Sequence, residues 1–259
     1  AYADQINAVS PGYAAEIMGE EYGAGLDGLL RARARRVSGI LNGLDYDQAD
    51  PSTDPALPVN FDSGSLDRRL ENKTALQTEC GLKQDSARPL IGVVSRLDHQ
   101  KGFDIAAPAV RAILQEGGAQ FVLLGAGAPD IQAQFETLPS EFPGVASVNL
   151  RFDAALAKRI YGGCDIFLMP SRYEPCGTSQ MVALRYGAVP VVRATGGLVD
   201  TVQNYRAGKG TGFVFKPYSS AALLGTLRRA LSVYNDREAW RALQGRGMAV
   251  RARRCPASR

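Results

Sequence analysis

The chain has 259 residues, 45% of them hydrophobic and 22% charged, with a net charge of +4; this composition excludes disordered and collagen-like classes and fits a soluble globular protein. No window approaches the roughly 18 uninterrupted apolar residues that a membrane span needs, and Ala1 to Ser10 lacks the basic-then-apolar layout of a signal peptide, so neither membrane insertion nor classical secretion is expected. Cys80, Cys164, Cys176 and Cys255 form no C-x-x-C pair, which points to neither a structural zinc site nor a disulfide framework and fits a reducing cytoplasm.

In chain order, the opening on Ala1 rather than methionine suggests a fragment or a processed product. Ser10-Pro11 offers an N-cap followed by proline at the first helical position, predicting a short helix through Ile17. A Gly-rich loop over Tyr22 to Gly28 leads to a basic helix and one lone apolar strand, Val37 to Leu41. The Asp-, Pro- and Ser-rich stretch Asp45 to Gly64 reads as a linker or hinge, and residues 66–80 as a helix stopped by Gly81.

From Pro89 onward, short apolar runs alternate with helix-length segments. Strands are predicted at Pro89–Ser95, Gln120–Leu124, Val145–Leu150, Asp165–Met169, Val189–Val192 and Phe213–Phe215, with helices near 103–115, 130–138, 153–162, 177–186 and 197–205. That order means α/β: a parallel sheet covered by helices on both faces. Ligands of such sheets bind at the carboxyl ends of the strands, so the turns there are searched first. Residues 228–259 carry nine arginines against Asp236 and Glu238, but they lack interleaved aromatics for base stacking, and a solvated face is expected rather than nucleic-acid binding.

Three turns stand out. After PLIGVVS, Arg96 and Lys101 leave one loop as two cations suited to a diphosphate; nearby Gly125 and Gly127 permit close backbone approach to a ligand. After DIFLM, Glu174 precedes Pro-Cys-Gly at a helix start whose free N–H groups suit sugar hydroxyls or anionic oxygens. Glu174 can accept hydrogen bonds from a hexose, whereas Cys176 has no histidine base near it and reads as a packing residue of the site wall. After VPVV, Thr195-Gly196-Gly197 opens another helix as a candidate phosphate turn. His99 reads as an exposed loop residue with no evident carboxylate partner, and as the single histidine it supports neither a triad nor a zinc centre.

Taken together, SRLDHQKGFD, PSRYEPCG and ALRYGAVPVVRATGGLVDTV, with SPGYAAEI, YGAGLDGLL and NGLDY upstream, closely resemble bacterial glycogen synthases and plant starch synthases from about Asn7 to Met248. The resemblance implies a retaining glucosyltransferase of the two-lobed GT-B fold that moves glucose from ADP-glucose to the non-reducing end of an α-1,4-glucan without a metal or other cofactor, in the bacterial cytoplasm or a plant plastid. By that likeness residues 1–50 are the end of the acceptor lobe, 51–88 a hinge and helix, 89–248 the Rossmann-like donor lobe, and 249–259 an atypical basic tail. It further implies that Arg96 and Lys101 stabilise the departing diphosphate, that Glu174 contacts the transferred glucose, and that Phe152 stacks on adenine. The backbone at Cys176, Gly177 and Thr178 would hold glucose hydroxyls, with Thr195, Gly196 and Gly197 near the phosphates. A non-catalytic nucleotide-sugar or glucan-binding fragment and a UDP-sugar transferase are the alternatives.

Departures from the family pattern are expected to matter. Val182 stands where many retaining relatives carry a second glutamate, which favours the glycogen synthase branch. Thr178-Ser179 replaces Leu-Thr beside the sugar, Arg151 precedes the proposed adenine-stacking Phe152, and Asp47–Asp50 replaces a segment that usually has a tryptophan. The acceptor lobe's Lys-containing Gly-Gly loop and catalytic histidine have no counterpart in this sequence, so the isolated chain is expected to show little transfer.

Overall fold

The computed structural model describes residues 3–250; the arginines and Cys255 of the basic tail from position 251 onward lie outside the described residues. Two sheets are present among them, both parallel. The smaller pairs β1 (Ile6–Ala8) with β2 (Val37–Gly39), so the strand expected to stand alone has a partner that three residues of mixed polarity did not announce. Between them lie α1 (Pro11–Glu16) and α2 (Asp27–Ala32). Ser10 caps α1 by accepting from the Tyr13 amide at 3.0 Å, with Pro11 at the first helical position as predicted.

The larger sheet has strand order β5-β4-β3-β6-β7-β8, where β3 is Leu90–Val94, β4 Gln120–Leu124, β5 Ala146–Asn149, β6 Ile166–Met169, β7 Val189–Arg193 and β8 Phe213–Phe215. These runs are apolar almost throughout because both faces are covered. Ile91, Val93, Phe121, Leu123, Ile166 and Leu168 point into one core, with α4 (Phe103–Gln115) and α10 (Ser220–Tyr234). Leu90, Val122, Leu124, Phe167 and Met169 point into the other, with α3 (Arg69–Glu79) and α7 (Ala154–Gly163). The period-two alternation splits one sheet into two cores. Crossovers from β3 run outward to β4 and β5 on one side, while β6 to β8 extend on the other, so the switch of direction falls between β3 and β6.

Remaining helices differ from expectation mainly at their ends. The single helix predicted near 130–138 divides into α5 (Pro129–Glu136) and α6 (Leu138–Glu141), because Pro139 has no N–H to continue the first ladder. Helix α8 covers Ser179–Arg185, α9 only Gly196–Thr201, and α11 Arg237–Ala249.

The presumed linker is not loose. Leu57 and Phe61 are buried against the larger unit, and the buried Asp54 accepts from Lys158 Nζ at 2.9 Å and from Tyr186 OH. Burial opposes ionisation of Asp54, but the bonds from Tyr186 and Lys158 outweigh it and hold the carboxyl below its ordinary range. Asp50 pairs with Arg185 at 2.8 Å alongside. Asp and Pro content signalled a turn-rich segment correctly, yet the side chains it buries are spaced too irregularly to read as a packed element.

Candidate functional site

The loops after β3 and β6 flank the switch point and are joined to each other. Asp98 caps a short turn over His99–Lys101 by accepting from the Lys101 amide at 3.2 Å, and Gly102 ends it with φ of +72°. A Cβ at Gly102 would collide with the carbonyl of Pro170, so glycine lets the two loops touch. Across that contact the Arg172 amide donates to Gln100 O at 2.8 Å and Gln100 Nε2 to Tyr173 O at 3.3 Å. This weld fixes Lys101 against Glu174: Nζ lies 2.7 Å from Glu174 Oε2, and Ser171 Oγ donates to the same oxygen at 3.0 Å. Glu174 is 5% exposed. Its second carboxylate oxygen and two of the three Lys101 N–H groups have no partner among the described residues, so the pair can take a ligand without first breaking.

Two cavities meet here. One, of about 190 Å³, is lined by Lys101, Ser171 and Phe103; the other, of about 420 Å³, by Leu124, Ala126, Phe152 and Ala157. They share Val94, Ser95, Arg96 and Ser179. Arg96, bound only to Asp98 at 3.3 Å among the described residues and largely exposed, sits on their common wall. A polar compartment with two cations beside an apolar one matches the outline of a nucleoside diphosphate carrying a sugar. Phe152 is 92% exposed at the rim of the apolar compartment, which leaves a ring face free.

The glycine signals resolve differently. Gly125 and Gly127 are required because a Cβ at either would strike the backbone of Ser95 or Leu97, and Leu97 donates to Ala126 O at 3.0 Å. They zip the Arg96 loop onto β4; only Gly125 also lines the larger cavity. The 195–197 turn, expected to face phosphates, faces inward. Thr195 is 1% exposed, its hydroxyl and the Gly196 amide donate to Glu16 Oε1 at 2.9 and 2.8 Å, and the Gly197 amide donates to Glu174 O at 2.9 Å. These donors are occupied within the chain, so the anion-binding expectation is corrected for this turn. The amides of Cys176, Gly177 and Thr178 have no acceptor among the described residues and stay available.

Cys176 packs with Leu44 and Met181 but lines neither cavity, and burial pushes its thiol up from the ordinary range. His99 is exposed as read, but it does have a carboxylate neighbour: Asp130 Oδ2 lies 3.3 Å from Nε2. That partner comes from the first turn of α5, 31 positions away, beyond local sequence reasoning. Ser171, Gln100 and Glu16 were also missed. Ser171 lies three residues before Glu174, a spacing that could have flagged it; Glu16 had no such signal. A larger cleft, about 650 Å³ between α3 and α11, lies at the opposite sheet edge. Its buried cations are already partnered: Arg69 donates to the carbonyls of Tyr186 and Cys164. No cluster of three or more His, Cys, Asp or Glu side chains placed to hold a metal is found among the described residues.

The family model of group 1 glycosyl transferases matches residues 81–243, the stretch that contains all these loops. The chain belongs to that family. A starch synthase catalytic domain model also matches this group 1 transferase over residues 1–32. It is 51% identical to a glycogen synthase of Gloeobacter violaceus over 95% of its own length and 54% of the relative's, and 51% identical to that of Moorella thermoacetica over 96% and 51%. Among solved structures, the catalytic domain of starch synthase IV from Arabidopsis thaliana, bound to ADP and acarbose, is similar at 38% identity and TM-score 0.91, covering 97% of this chain and 53% of that one. A sucrose-phosphate synthase of Thermosynechococcus elongatus shares the fold at 21% identity and TM-score 0.63, over 95% of this chain and 52% of its own. The chain spans about half the length of the curated relatives it matches. No helix among the described residues is long and apolar enough to cross a membrane.

Proposed function

We propose that this chain is the donor-binding half of a retaining glucosyltransferase that uses ADP-glucose to extend an α-1,4-glucan in glycogen synthesis, in the bacterial cytoplasm. The observation that carries this reading is the Lys101–Glu174 pair, at 2.7 Å, beside a second cation, Arg96, on the wall between a polar and an apolar compartment. The likeness to glycogen synthases and to an ADP-bound starch synthase supports the choice of donor and acceptor.

In this reading Phe152 stacks on the adenine, worth about 0.5–1.5 kcal/mol beyond area burial. Arg96 and the free N–H groups of Lys101 grip the diphosphate. Glu174 and the amides at 176–178 accept and donate to glucose hydroxyls. Transfer breaks the bond between the anomeric carbon and the phosphate oxygen and forms one to the acceptor's 4-hydroxyl oxygen on the same face. The acceptor proton leaves with the diphosphate, whose growing charge Arg96 and Lys101 offset in place of a metal ion. Losing one such stabilising donor typically costs about 2.7–4 kcal/mol in the transition state. Closure of a second lobe would exclude water from the donor.

Titration calorimetry of the chain with ADP-glucose and UDP-glucose tests this. Preferential binding of ADP-glucose, lost in Arg96→Ala, is the expected result; equal affinity for both, or none for either, would overturn the donor assignment. Incorporation of labelled glucose into glycogen separates transfer from binding alone.

A further inference from the structure

The first unit, β1-α1-α2-β2, touches the site side of the larger sheet through hydrogen bonds from α1 and its cap and through Tyr22, whose ring lies 5.9 Å from that of Tyr173. Ser10 Oγ donates to the carbonyl of Pro175 at 2.6 Å, the Gly12 amide donates to Asp200 Oδ2 at 2.7 Å, and Glu16 Oε1 accepts from Thr195 Oγ1 and the Gly196 amide. Ser10 thus ties to the loop that carries Glu174, Glu16 to the turn packed behind it, and Gly12 to the helix that turn opens.

Glu16 is the tie whose cost asks for a reason. Its other oxygen, Oε2, is buried without a hydrogen-bond partner, and no cation pairs with it among the described residues. A half-buried carboxylate with one oxygen sealed from water and unpaired is unfavourable for folding alone. What it gains is rigidity. A Cβ at Gly196 would collide with the Glu174 carbonyl and one at Gly197 with the Cys176 backbone, so the turn and the loop are in direct backbone contact with no slack between them. The Gly197 amide then holds Glu174 O at 2.9 Å, and the Glu174 carboxylate reaches Lys101. The path from Glu16 to the sugar-facing carboxylate is a continuous series of short contacts.

We infer that Glu16 is a positioning residue: through the Thr195–Gly197 turn it fixes Glu174, and so lets the first unit govern how well the site distinguishes a sugar-bearing nucleotide from the bare diphosphate. This rests on the donor-site reading above, in which Glu174 meets the sugar while Arg96 and Lys101 meet the diphosphate. Glu16 itself lines neither of the two cavities.

The test compares ADP with ADP-glucose by calorimetry in the whole chain. Glu16→Ala should erase about tenfold of the advantage of ADP-glucose over ADP, the size of one charge-assisted hydrogen bond, while ADP affinity itself holds. Glu16→Gln, which keeps an acceptor at the same place, should restore most of the advantage, a rescue that general destabilisation would not give. An unchanged ratio in Glu16→Ala, an equal loss for both ligands, or no rescue by glutamine would overturn the proposal. Glu174→Gln serves as the reference. If the unaltered chain shows no preference for ADP-glucose, or Glu174→Gln does not reduce it, the donor reading has failed, and the brace is then decided by amide hydrogen exchange at Gly196 and Gly197. Exchange must speed up in Glu16→Ala and not in Glu16→Gln for the brace to stand. Should Glu16→Ala fail to fold, Thr195→Val removes one donor at constant shape and takes its place in both measurements.

Discussion

Two lysine–carboxylate pairs of nearly equal length lie at opposite edges of the larger sheet, Lys101–Glu174 at 2.7 Å and Lys73–Asp165 at 2.8 Å. At the amino-terminal edge the lysine is saturated. Lys73 also donates to Ser86 O, Arg88 O and Tyr234 OH, and Asp165 Oδ2 also accepts from the Leu90 amide at 2.9 Å. At the carboxyl edge Lys101 has a single partner among the described residues, Glu174, and two N–H groups left over. Both join a lysine to a carboxylate at nearly the same distance. Saturation separates scaffold from site: a pair with unspent donors can bind, whereas a pair with none can only hold.

The largest effect should fall on the saturated pair. Lys73→Met leaves Asp165 buried without its cation and is expected to cost about 3–5 kcal/mol of stability in denaturant unfolding, with donor binding preserved in whatever remains folded. Lys101→Met should reverse the pattern. Its loss of ADP affinity is expected at about 1.5–3 kcal/mol, the worth of a hydrogen bond to a charged group, with a smaller loss of stability than at Lys73. Equal destabilisation by the two substitutions would erase the distinction.

Phe152→Ala sharpens the same contrast from the apolar side. An aromatic ring 92% exposed contributes little to folding, so stability should hold while ADP affinity drops by about 0.5–1.5 kcal/mol. The smallest effect concerns pH. Because the folded pKa of Asp54 is depressed, its contribution is present above the unfolded value near 3.9 and is lost as pH falls through the lower folded one. Urea midpoints measured between pH 5 and 3 should therefore fall more steeply in the unaltered chain than in Asp54→Asn; parallel slopes would show that the tie to Lys158 and Tyr186 carries no such linkage.

The sheet was legible because its strands are buried on both faces and read as unbroken apolar runs, such as FVLL and DIFLM. Arg96, Lys101 and Glu174 were legible because each follows such a run at the edge where ligands bind. The partners that make them a site were not, since Ser10, Glu16 and Asp200 act across more than 150 positions and leave no periodic trace. The glycines were located correctly but misassigned in part: a glycine in a turn signals close approach, and only the fold says whether the approaching atom is a ligand's or another carbonyl. Residues 45–64 misled for a related reason, because turn composition speaks of backbone shape and is silent on the buried Leu57 and Phe61.

The clasp of that segment by Asp54, Lys158 and Tyr186 has one more consequence. Leu44, Tyr46 and Ala49 pack on the larger unit as well, so the connection left after β2 shrinks to residues 40–43, a reach of at most about 15 Å. A tether that short keeps α1 at a high effective concentration, on the millimolar scale, over the turn it braces. Once parted, the two units would meet again by an intramolecular step, far more often than separate molecules could.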